Sequence, residues 1–168
     1  ALLDEVTFLT ERPAVFAGSF DERFLDLPRH VIVAAMKGHQ RYFAVETDDG
    51  ALLPRFLCVA NALPGAIEGI RDGNERVLVS RLDDAVFYWR EDTKTPLAAK
   101  EELLRKVVWL EGLGSLYEKT DRIEALARHI AGQLGASDVE LVARAARLSK
   151  ADLVTEMVKD GKEFTELQ

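Results

Sequence analysis

The chain has 168 residues, 48% hydrophobic and 30% charged, with a formal charge of -7. That length suits one ordinary domain or two small ones, with a core that removes roughly two thirds of the unfolded surface from water. The balance is that of a soluble globular protein; no apolar run approaches the roughly 20 residues of a membrane span, and Cys58, the single cysteine, excludes an internal disulfide and a multi-thiolate metal site.

At the N-terminus, Asp4 and Glu5 stand where a secretory signal carries positive charge, so a cytoplasmic location is expected. Short apolar runs follow, broken by Pro, Gly and Asp: PAVFAGSF, RYFAVET and LPRFLCVAN. The last two, separated by Asp48, Asp49 and Gly50, predict an antiparallel hairpin. Cys58 lies inside FLCVA, where a thiol behaves as a small buried hydrophobe. Between the first two runs, Pro28 opens a predicted helix RHVIVAAMKGHQ that ends near Gly38.

After Pro64 the pattern becomes helical. GNERVLVSRLDDAVFYWRED places Leu78, Leu82, Ala85 and Trp89 on one stripe, with Asn74 as its candidate N-cap. Pro96 restarts a predicted helix, LAAKEELLRKVVWLEGL, with Leu103, Val107 and Leu110 on one face and a break at Gly112 and Gly114. Ser115 and Glu118 have capping-box spacing ahead of Ile123, Leu126, Ile130 and Leu134. Ser137 and Glu140 repeat the signal for VELVARAARLSKADLVTEMVKD, stopped at Gly161. The expected class is α+β: a small antiparallel β/α unit over residues 1–65, then a bundle of four or five helices over 66–168.

An acidic total does not forbid a local basic patch, because salt confines the reach of distant charge to about 10 Å. MKGHQRYF gathers such a patch at the junction of helix and strand. Lys37 suits the negative end of the helix dipole, a purely structural role. His39, Gln40, Arg41 and Tyr42 suit a phosphate backbone or a stacked nucleotide, and equally a partner subunit. Further along, Arg76, Arg81 and Arg90 are matched by Asp83, Asp84, Glu91 and Asp92, which reads as a solvated face laced with ion pairs. GNER lacks the second glycine and the Lys-Ser/Thr pair of a phosphate loop. His30, His39 and His129 have no metal-site spacing, and no Ser, His and acid set stands out, so no catalytic residue is proposed.

Several strings, FDERFLDLP, MKGHQRYFAV, LLPRFLCVAN, GNERVLVSRLDDAVFYWRED, LGSLYEKTDRI and LSKADLVTEMVKDGKEFTELQ, together resemble the central region of the beta subunit of bacterial glycyl-tRNA synthetase, from about Glu5 to Gln168. That subunit is much longer, so the chain is expected to be an internal fragment. The resemblance implies a ligase of two alpha and two beta subunits that joins glycine to tRNA-Gly. ATP and Mg belong to the alpha subunit, and no cofactor is implied in this fragment. The implied partners are the alpha subunit and tRNA-Gly, with neither DNA nor membrane, and the fragment alone is expected to be inactive. Lys37, His39, Arg41, Tyr42, Arg76 and Arg81 become candidate contacts to tRNA or to the alpha subunit.

The same region of the family is similar to the HD superfamily of metal-binding helical domains, here from about residue 97 and truncated at the C-terminus. The resemblance puts Lys119 at the first histidine position and Ala151 followed by Asp152 at the His-Asp pair. An ammonium repels a divalent cation, and one carboxylate does not replace two neutral imidazoles, so no metal is expected. A metal-dependent phosphohydrolase and a pure scaffold remain the alternative readings.

Overall fold

A computed structural model describes residues 2–38, 40–159 and 164, the side chain of Pro64 excepted. Residues 2–90, with Phe164, form one compact unit and residues 91–159 a second. The composition change near residue 65 therefore falls inside the first unit, and the units divide between Arg90 and Glu91.

The first unit begins with α1 (Leu2–Leu9) and is built on three antiparallel strands: β1 (Pro13–Ser19), β2 (Phe43–Glu46) and β3 (Leu52–Asn61). Their order is β1-β3-β2, with Phe16 opposite Cys58, Gly18 opposite Phe56 and Phe43 opposite Leu57. Alternation sets the faces: Phe16, Phe56 and Cys58 are buried while Val15 and Leu57 face outward. Gly18 is required by packing, since a Cβ there would lie 2.3 Å from the Phe56 ring. The turn between β2 and β3 lies at Asp48–Gly50 as the sequence predicts, closed by the Gly50 amide donating to the Thr47 carbonyl at 2.9 Å.

Helix α2 (Arg29–Lys37) follows Pro28 and stops at Gly38, again as predicted. It buries Val31, Ile32, Ala34, Ala35 and Met36. Helix α3 runs Ile67–Thr93, so Gly73 and Asn74 lie inside it and Asn74 is not its N-cap. A mid-helix asparagine is tolerated here because both ends of its amide are used: Nδ2 donates to the Ile70 carbonyl at 2.6 Å and Oδ1 accepts from Tyr42. Leu78, Leu82 and Ala85 form the fully buried stripe, whereas Trp89 at its end is exposed.

In the second unit the predicted helix after Pro96 is replaced by four elements. These are α4 (Leu97–Lys100), a 3-10 helix (Glu101–Lys106), and a two-stranded hairpin of β4 (Val108–Leu110) and β5 (Gly114–Ser115). Val107, Val108 and Trp109 favour extended backbone, and Gly112 and Gly114 supply the positive φ values of 80 and 84° that reverse the chain. Leu104, rather than Leu103, enters the core against Leu116 and Val154.

Helix α5 (Leu116–Gln133) begins with the predicted capping box of Ser115 and Glu118. Helix α6 (Val139–Leu148) is capped one residue later than expected, by Asp138, whose carboxylate accepts from the Leu141 amide at 2.8 Å. The long helix expected beyond it is instead a 3-10 turn (Ala151–Val154) and α7 (Glu156–Lys159). Thr155 is extended between them, and the Asp92 carboxylate accepts from the Glu156 and Met157 amides at 2.9 Å, capping α7. The expected stop at Gly161 lies outside the described residues.

The predicted Leu126 and Ile130 stripe on α5 does not enter the core: these residues are 61% and 53% exposed. Small residues do the packing instead, Ala131 on α5 and Ala143 and Ala146 on α6, which lets the two helices lie close. Among the described residues no helix is long and apolar enough to cross a membrane.

Candidate functional site

The turn leaving α2 carries the basic group that the sequence singles out. Lys37 closes the helix and is exposed. Arg41 is also exposed, with φ of +54° and its Nε 2.6 Å from Glu5 Oε1 on α1. His39 lies outside the described residues. Tyr42 turns the other way: it is 2% exposed, its ring stacks on Phe56 at 4.5 Å, and its hydroxyl donates to Asn74 Oδ1. Burial, and secondarily Cys58, pushes its phenol pKa up. Tyr42 is thus part of the core and does not present a ring to a nucleotide. Among the described residues of this turn, two exposed cations remain, Lys37 and Arg41, the second paired with a carboxylate.

Arg76 is exposed on α3 and lines a shallow depression with Ser19, Phe20, Asp21, Asp72 and Glu75. Glu75 is committed there, accepting from the Ser19 amide at 2.7 Å. Arg81 is half-buried on the same helix. Of the acids expected to match the arginines of this helix, Asp83 pairs instead with Arg23 at 2.8 Å, Glu91 with Lys94 and Asp92 with Lys100.

In the second unit Lys119 stands in the second turn of α5 with its ammonium 2.9 Å from the centre of the Trp109 ring on β4. Burial, then the cationic Lys150 and Arg122, hold that ammonium below the usual lysine range. Ala151 is wholly buried and Asp152 half-buried, both in the 3-10 turn after α6. Among the described residues no three His, Cys, Asp or Glu side chains converge in a way that could hold a metal ion. Reading residues 107–110 as helix concealed Trp109; the adjacent valines were the signal for a strand.

Two arginines beside this hairpin are structural. Arg105 pairs with Glu102 at 2.7 Å and lies 3.4 Å over the Tyr117 ring. Arg147 lies 4.1 Å over the same ring and pairs with Glu101 and Asp121.

A family described as Glycyl-tRNA synthetase beta subunit matches residues 1–168. Among curated proteins, the glycine–tRNA ligase beta subunit of Desulforamulus reducens is 50% identical over 99% of this chain, and that match covers 24% of the relative. The corresponding subunits of Streptococcus agalactiae and Moorella thermoacetica are each 48% identical, again over 99% of this chain and 24% of their own length. The chain therefore spans about a quarter of the curated relatives it matches.

Proposed function

This chain belongs to the glycyl-tRNA synthetase beta subunit family, and from that premise we propose that it is a non-catalytic segment for tRNA binding and assembly. The whole protein is a cytoplasmic glycine–tRNA ligase of two alpha and two beta subunits. Its partners are the alpha subunit and tRNA-Gly, and ATP and Mg act at the alpha subunit. In this reading the second unit is an HD-like bundle that has lost its metal.

One observation carries the non-catalytic reading. The two positions at which the HD resemblance implies imidazole ligands hold an ammonium laid over an indole, Lys119, and a buried methyl group, Ala151. Neither offers the neutral nitrogen lone pair that a phosphohydrolase metal requires, and Asp152 alone supplies too few donors.

The exposed cations Lys37 and Arg41 support contact with an anionic partner at the turn after α2. The test is the double variant Lys37→Ala with Arg41→Ala in the full-length beta subunit assembled with its alpha subunit. Each lost phosphate contact reduces the slope of log affinity for tRNA against log salt by about 0.7 to 0.9. Loss of alpha-subunit affinity at an unchanged tRNA slope assigns the turn to assembly. Unaltered affinity for both partners overturns the assignment.

A further inference from the structure

The β4–β5 hairpin exposes an unusual amount of apolar surface for two such short strands: Val108 is 75% exposed, Trp109 47%, Leu110 57% and Leu113 53%. Two cations of α5 hold it. Lys119 lies against the Trp109 face, and Arg122 Nη2 donates to the Leu113 carbonyl at 3.1 Å. Both belong to the first two turns of α5; Lys119, the fourth residue, lies next to the positive end of the helix dipole, where a cation is disfavoured by about 0.3–1 kcal/mol, an effect that has faded by Arg122. The charges acting on the Lys119 ammonium are themselves positive, Lys150 and Arg122. The nearby Glu118 is occupied at the cap, where its Oε2 accepts from the Ser115 amide at 2.7 Å. Lys119, Arg122 and Lys150 gathered beside an exposed indole, with Glu118 as a carboxylate that Arg122 acts on, make a good design for an anion that carries a flat ring.

We propose that Trp109, Lys119 and Arg122, with Lys150 at the edge, form an RNA contact in which the two α5 cations meet backbone phosphates and the indole meets an unstacked base or a ribose face. An RNA segment supplies both parts, because phosphate repeats along its backbone and every base has a π-face. A protein partner would have to bring carboxylates and a ring at matching spacing. The site lies in the second unit, whereas Lys37 and Arg41 belong to the first. It rests on the reading of the whole protein as tRNA-binding, and it gives Lys119 a use in place of the missing metal ligand.

The experiment compares tRNA-Gly affinity against salt for the full-length beta subunit with its alpha subunit and for three variants. In Lys119→Gln with Arg122→Gln the slope becomes shallower by about 0.7 to 0.9 for each cation lost. Trp109→Ala weakens binding about 5- to 100-fold with the slope unchanged, and Trp109→Phe stays within about 3-fold of the native protein. Thermal midpoints establish that each variant is folded; if Trp109→Ala is not, the charge variant and Trp109→Phe decide. Native affinity and native slope in the charge variant overturn the proposal, as does loss of alpha-subunit affinity with tRNA binding intact. A native protein without salt-dependent tRNA affinity overturns instead the functional reading on which the site rests.

Discussion

The Tyr42 hydroxyl donates to Asn74 Oδ1, joining residues 32 apart: the turn that leaves α2 and the interior of α3. The asparagine amide is held for this by its own Nδ2, which donates to the Ile70 carbonyl. A phenol stacked on Phe56 and a mid-helix asparagine are each poor choices locally, and each is explained by the other.

Tyr42→Phe therefore leaves a half-buried carbonyl oxygen without its phenol donor and lowers stability by about 1–3 kcal/mol. Urea denaturation measures the loss. Asn74→Ala in the Tyr42→Phe background adds less than it does alone, since the pair is already broken. Simple additivity of the two changes would show that the bond contributes nothing.

Gly112 and Gly114 both have positive φ, near 80°, but they differ in surroundings. A methyl group on Gly112 meets nothing, so Gly112→Ala carries only the left-handed backbone cost of about 1–2 kcal/mol. A methyl group on Gly114 would stand 2.2 Å from Glu118 Oε2 and displace it from the capping box. Gly114→Ala is thus expected to be worse by about 1 kcal/mol, the value of a helix cap. Equal melting shifts for the two variants would remove Glu118 from the account.

Asp92 joins three parts of the second unit. Its Oδ1 pairs with Lys100 at 2.7 Å, with side-chain exposures of 13% and 12%, and its two oxygens accept from the Glu156 and Met157 amides. Burial alone would raise its pKa; the Lys100 ammonium and the two amides outweigh burial and bring it below the usual carboxylate value. A depressed folded-state pKa contributes stability that is fully present above the unfolded carboxylate pKa, about 3.9. That contribution disappears as pH falls through the lower, folded value. Asp92→Asn lowers neutral stability by about 3 kcal/mol and flattens the acid limb of a stability-versus-pH curve. An acid limb identical to that of the native chain would count against this role.

Arg147 is 15% exposed, pairs with Glu101 and Asp121, and lies over Tyr117. Arg147→Met strands carboxylates and costs about 3 kcal/mol, whereas Arg147→Lys keeps the charge without the planar fork and recovers only part of that. Full recovery by lysine, in a denaturant titration, would mean that charge alone matters and that ring stacking and the fork do not.

Elements written in local signals were readable from the chain itself. Pro28 and Gly38 bound α2, Asp48–Gly50 turns the hairpin, and Ser115 with Glu118 starts α5. Decisions made by distant partners were not. Asn74 looked like a cap because its Tyr42 partner is 32 residues away. The break before α7 depends on Asp92, 64 residues before Glu156. The basic turn at Lys37 and Arg41 was visible as composition, but the inward rotation of Tyr42 depends on a stacking partner, Phe56, on another strand. The exposure of Trp109 is hidden in the sequence because apolar spacing over 103–110 fits a helix as well as a hairpin, and only the two glycines beyond it break the tie.

Arg41 occupies the left-handed region, at φ of +54°, where glycine would sit without penalty and any other residue is disfavoured by about 1–2 kcal/mol. Arg41→Gly would relieve that cost and lose the ion pair to Glu5 in the same step. The backbone thus stores a small deformation at the residue whose guanidinium ties this turn to α1.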